Sequence, residues 1–126
     1  MAGSGIRSVN LFAGRYEEGR HPHGARTRRL MLHQGDDGRH LAFASEIPDG
    51  ARFTETRAGI EEVFYIVRGT ARCELESGEA FDWAEGDLVY WPYDEPMKIE
   101  YSPGSLAVCM FWSDQPISLA PVRGSD

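Results

Sequence analysis

Apolar residues in this chain come in short runs, broken at close intervals by turn-forming residues. RLMLH (29–33), LAFASEI (41–47), VFYIV (63–67), ARCEL (71–75), LVYW (88–91), MKIEY (97–101) and LAVCMFW (106–112) are each rich in β-branched or aromatic side chains, which predicts strands. QGDDG (34–38), PDG (48–50), RGT (68–70), ESGE (76–79), AEGD (84–87) and SPG (102–104) carry the turn chemistry between them. No helical period of useful length is present. Many short strands joined by Gly-containing turns predict an all-β sandwich or barrel. Residues 1–28 are polar and rich in Gly and Arg, and are expected to form an extended N-terminal arm. Residues 29–115 form the barrel, and 116–126, with Pro116 and Pro121, an extended C-terminal tail. There is no internal repeat.

Composition narrows the functional classes. A chain of 126 residues fits one domain with a real core. The formal net charge of −7 argues against nucleic acid or an anionic membrane as partner. No apolar stretch is long enough to span a bilayer, and MAGSGIRSVN has no signal-peptide core, so a cytoplasmic location is expected. Two cysteines, Cys73 and Cys109, do not make a disulfide framework. Lys98 is the sole lysine beside twelve arginines, which disfavours Schiff-base chemistry. Arg26, Arg28 and Arg29 form a cluster whose guanidinium forks suit a carboxylate or phosphate. The plainer expectation for it is a solvated strand face or a subunit contact.

The centre of the chain carries two spaced half-motifs. EVFYIVRG supplies Glu62, six further residues including an apolar strand, and Gly69. GDLVYWPYDEPMKIEY supplies Gly86, Asp87 and Pro92. Together they resemble the two motifs of the cupin family, over roughly residues 40–112. The resemblance implies a double-stranded β-helix, a jelly-roll barrel with Glu62 facing the interior. Alternation then turns Phe64 and Ile66 the same way as Glu62, and on the facing strand groups Met97, Ile99 and Tyr101. From LAVCMFW either Cys109 and Phe111 or the opposite set points inward.

The departures from the family pattern concern the metal ligands. The slots where cupins commonly carry histidines hold Glu55 and Arg57 (or Thr56 and Ala58, with a gap one residue shorter) and Met97. Iron, manganese, zinc and nickel favour imidazole and carboxylate donors; Arg57 is a permanent cation, and Met97 is a poor donor for them. In lacking these histidines the chain is similar to the ethanolamine-utilisation cupins. The resemblance therefore implies a barrel with no metal and no other cofactor, lined by apolar groups and a few polar ones.

Such an interior suits a small organic ligand. The leading expectation is a metal-independent cupin that binds a small molecule and performs proton-transfer chemistry of the isomerase, lyase or cyclase type. Glu62 would be its acid or base, Arg57 would orient an anionic group, and Tyr101 would assist. Glu55, Phe64, Ile66, Met97, Ile99, Cys109 and Phe111 would line the ligand. One alternative is a non-catalytic ligand-binding or accessory protein. Another is a metal-dependent cupin with a site built from His33, Glu55 and Glu62, which needs His33 to point inward. A symmetric homodimer, paired through sheet edges, is expected in every case.

Overall fold

The computed structural model describes residues 5–21, 23–55, 60–92 and 96–116. Ten strands run through them: β1 (Glu17–Arg20), β2 (Arg26–Gln34), β3 (His40–Ile47), β4 (Ala51–Glu55), β5 (Ile60–Arg68), β6 (Thr70–Leu75), β7 (Ala80–Ala84), β8 (Leu88–Trp91), β9 (Met97–Tyr101) and β10 (Ser105–Ser113). They form two antiparallel sheets. The first has the order β1-β2-β3-β10-β5-β8 and the second β4-β9-β6-β7. Among the described residues no helix is long and apolar enough to cross a membrane.

Two-residue periodicity decides which side chains meet. In β5, Ile60, Glu62, Phe64 and Ile66 are buried while Glu61, Tyr65 and Arg68 are exposed. Met97 and Ile99 of β9, and Ala71 and Cys73 of β6, turn the same way from the opposite sheet. These residues join Leu41, Phe43, Val89, Trp91, Ala107 and Cys109 in one core between the sheets. The structure thus resolves the alternatives for β10: Cys109 lies in this core and Phe111 packs against it, while Leu106 belongs to a second cluster and Val108 packs there. That second cluster, Leu30, Ala44 and Leu106, lies on the outer face of the first sheet under Leu11 and Tyr16.

Strand β1 and the start of β2 fall within residues 1–28, which the sequence pattern assigned to an arm. Glu17 and Glu18 stand opposite Arg29 and Arg28, and Gly19 opposite Thr27. A strand pair made of charges has no apolar alternation to betray it; it forms because opposite charges face each other across a sheet edge. Residues 5–10 form no strand and are exposed, but Leu11 and Tyr16 are packed down, with the Tyr16 hydroxyl donating to the Leu11 carbonyl at 2.8 Å. Residues 117–126, most of the expected tail, lie outside the described residues.

A bulge in β2 redirects one side chain. Met31 pairs with Phe43, and the register then shifts so that His33 pairs with Ala42. Without that extra residue His33 would share the inner face with Arg29 and Met31; with it, His33 turns to the face of Ala42 and His40.

Candidate functional site

Glu62 stands at the start of β5 in a row with Trp91 of β8 and with Phe111 and Leu41 of β10 and β3. It is only 5% exposed. The links from β4 to β5 and from β8 to β9 are short, so Glu62, Trp91, Met97 and the end of β4 occupy the same end of the sandwich. The expected residues Phe64, Ile66, Met97 and Ile99 are buried in this interior, each about 1% exposed. Arg57 lies outside the described residues, as does the side chain of Glu55.

The row behind Glu62 supplies its polar neighbours. Cys109 sits between Phe43 and Phe64 on the adjacent strands. Its thiol lies close enough to Glu62 to be influenced by the carboxylate. Burial, first, and then the Glu62 charge push the Cys109 thiol well above its ordinary value, while the Arg29 charge pulls the other way. This sulfur stays a protonated thiol and is not a nucleophile.

Arg29 reaches the same interior from β2. Its guanidinium carbon lies 4.1 Å from the centroid of the Phe43 ring, a cation–π contact that fixes the fork beside the core aromatics. Phe43 is in turn stacked on Phe111 at 5.7 Å. The arginine cluster seen in the sequence therefore splits. Arg28 is bound outside by Glu46 at 2.7 Å and lies 3.7 Å from Glu18; Arg26 holds Asp49 at 3.2 Å. Arg29, one position on, faces in. Sequence reasoning treated the three alike; strand alternation is the signal that separates Arg29 from Arg28.

One expected participant, Tyr101, is elsewhere. Tyr101 does lie on the inner face of β9, 6.4 Å from the Phe53 ring, but four residues from Met97. At about 3.3 Å per residue that places it roughly 13 Å further from the Glu62 end. It pairs with Ala71, just past the turn at Gly69 that ends β5, and borders a cleft of about 550 Å³ with Trp83, Arg72 and Ser102. Tyr101 is thus not the assistant of Glu62 that alternation alone suggested, because alternation fixes a face but not a level along it.

His33, which the metal-dependent alternative needs inside, lies outside. Its Nε2 lies 3.3 Å from Nε2 of His40, and its Nδ1 accepts from the Arg7 guanidinium at 2.8 Å, all on the exposed side. The bulge has removed it from the barrel, so it does not meet Glu62. His21 and His23 stack on Phe53 at 4.4 and 4.5 Å. Among the described residues no three His, Cys, Asp or Glu side chains converge on a point where a metal would sit. Among the described residues, the donors near Glu62, a protonated thiol and the Met97 thioether, do not fit the metals that cupins commonly hold.

Known structures share this architecture. The chain aligns with the cupin domain of Cnp3 from Schizosaccharomyces pombe at a TM-score of 0.66 and 13% identity, over 85% of this chain and 74% of that one. With KdgF from Halomonas sp. the TM-score is 0.65 at 20% identity, over 89% and 96%. The chain has the cupin fold. A further likeness, to ectoine synthase from P. lautus, has a TM-score of 0.60 at 21% identity, over 75% and 67% of the two chains. At such identities the likeness is one of fold. No family model matches the sequence, and no curated protein matches it significantly. The two half-motifs around Glu62–Gly69 and Gly86–Pro92 had implied this cupin barrel.

Proposed function

We propose that this cupin binds a small organic molecule at the Glu62 end of its barrel and uses Glu62 as an acid or base in a proton transfer. One observation carries the reading. A carboxylate sits in an aromatic interior beside a buried thiol, and shares that interior with a guanidinium braced on Phe43. An ionisable pair is costly to bury and adds little stability compared with apolar packing, so its presence favours a role in recognition or chemistry. Arg29, with Arg57 as a second candidate, would orient an anionic part of the ligand by bidentate contact. Trp91, Phe111 and Met97 would wall its apolar part. Ectoine synthase, an enzyme by name, supports the reading that such a fold can serve as a catalyst.

Glu62→Gln tests the reading, because it keeps the shape and removes the titrating proton. Native mass spectrometry of purified protein identifies a retained small molecule, and turnover of that molecule or its analogues follows. Loss of general acid–base catalysis lowers turnover by about 10²-fold or more. Turnover that survives the substitution intact would make Glu62 structural. Retention of the ligand with no reaction in either protein favours the non-catalytic binding alternative.

A further inference from the structure

The hairpin that joins β2 to β3 carries a cluster of groups that the Glu62 end does not use. The Gly35 amide donates to the His40 carbonyl at 2.8 Å, a closure that brings His40 back beside His33. The His40 ring rests against this turn: a Cβ on Gly35 would come within 2.5 to 2.8 Å of three ring atoms, so glycine leaves the place that the ring fills. Asp37 Oδ1 accepts from the Arg39 amide at 2.9 Å and lies 3.7 Å from His40 Nδ1. On the other flank the Arg7 guanidinium donates to His33 Nδ1 at 2.8 Å. Between these flanks the two Nε2 atoms face each other, 3.3 Å apart.

Chemistry fixes the protons along this row. A guanidinium only donates, so His33 Nδ1 bears a lone pair and the neutral ring keeps its proton on Nε2. That proton is donated to His40 Nε2, and His40 keeps its own on Nδ1, the atom nearest Asp37. His40 Nε2 thus presents a lone pair to the gap. We propose that the gap binds a borderline divalent cation of the zinc, nickel or copper class, with His33 and His40 as its two protein ligands and water in the remaining positions. Spacing carries the inference. Two nitrogens about 2.1 Å from one ion and 3.3 Å from each other subtend about 104° at it, close to tetrahedral. The ring centroids are 5.2 Å apart. Two imidazoles on one tetrahedral ion keep about 5 Å, whereas an end-on N–H···N pair at this distance keeps about 5.6 Å. Asp37 takes the place of the outer carboxylate that orients a ligating imidazole through its other nitrogen.

Arg7 makes the site conditional. His33 ligates through Nε2 only with its proton on Nδ1, which then cannot accept from Arg7. Nε2 gives up its proton, Nδ1 takes one up, and the ring stays neutral while Arg7 withdraws. Docking of Arg7 and occupancy of the gap exclude each other, and the ion loosens residues 5–10 from β2. Two imidazoles and water hold an ion more weakly than a closed set of four protein ligands, so desalted protein is empty. The site lies on the exposed side, apart from Glu62, and stands independently of the ligand reading.

Calorimetric titration of the desalted full chain with zinc chloride tests the site. One ion per chain binds, with Kd of about 10–100 µM. His33→Ala or His40→Ala, each folded by circular dichroism, weakens binding at least about tenfold, and Asp37→Asn weakens it in the same direction. The double variant His21→Ala, His23→Ala leaves it unchanged. Arg7→Ala strengthens binding at least about threefold, because nothing then holds the His33 proton on Nε2. No binding to the wild type up to about 1 mM zinc overturns the proposal. So does binding that survives both single histidine substitutions or disappears with His21 and His23. An equal or weaker affinity in Arg7→Ala overturns the exclusion between Arg7 and the ion.

Discussion

Glu62 and Cys109 are buried close to each other, and the thiol makes that burial measurable. Both cysteines are buried, and burial is the first cause of the raised Cys109 value. A raised folded value means the native state holds the proton more tightly than the unfolded chain. Stability from this group is therefore complete below the ordinary thiol range and is lost as pH climbs through and beyond it. We expect native protein to show no reaction with a disulfide reagent near pH 8, and both thiols to react in denaturant. A rapidly titrating thiol in folded protein would contradict the geometry. The alkaline loss of stability, followed by urea unfolding from pH 7 to 10, becomes shallower in Cys109→Ala; an unchanged slope would remove Cys109 as its source. Much of this site was legible in the chain. Period-two alternation and the motif resemblance put Glu62, Phe64, Ile66, Met97 and Ile99 inside, where they are found. Arg29 was hidden because adjacent arginines look alike until a strand separates their faces. The direction of His33 was left open because a one-residue bulge leaves no mark on composition, yet reverses every later side chain in its strand.

The strands that were legible are those with apolar cores, and the ones missed lack them. β8 and β9 match their sequence runs, whereas β1 is charged, β4 (ARFTE) has one large apolar residue, and β7 (AFDWA) is short and mostly exposed. β-Pairing to neighbours makes these three strands, and pairing is not a local property. The turns carry stronger local information. Gly69 closes the first half-motif for a visible reason: its φ is +91°, and a Cβ there would run into the Ser105 side chain and lie 2.8 Å from its Cα. Ser105 cannot yield, being buried and bonded to the Ser102 carbonyl at 2.6 Å. Gly69→Ala should therefore destabilise the protein by about 2–4 kcal/mol, combining left-handed backbone strain with overpacking. The urea midpoint reads this directly, and a midpoint equal to that of the wild type would show that the β5–β6 connection adapts at no cost.

For the whole molecule, packing the two sheets decides what kind of chemistry the barrel can support. Chain connectivity gathers Glu62, Trp91 and Met97 at one end, and sheet one contributes Arg29 and Cys109 from the row behind. A transition metal at that end would need several deprotonated nitrogen, oxygen or sulfur donors around it. Of the groups the described residues bring there, Cys109 holds its proton, Met97 offers a soft thioether, and Arg29 adds a positive charge that opposes a second cation. The four histidines are spread over the other surfaces, two against Phe53 and two on the outer side of β2 and β3. The described residues thus bring an acid, a protonated thiol and a guanidinium to that end of the barrel. Elemental analysis of protein expressed with iron, zinc, manganese and nickel in the medium should find well under about 0.1 metal per chain. Chelator treatment should leave both the melting temperature and the binding of any retained small molecule unchanged. About one metal per chain, lost together with stability on chelation, would mean that donors outside the described residues complete a site with Glu62, and the proton-transfer reading would give way to a metal-assisted one.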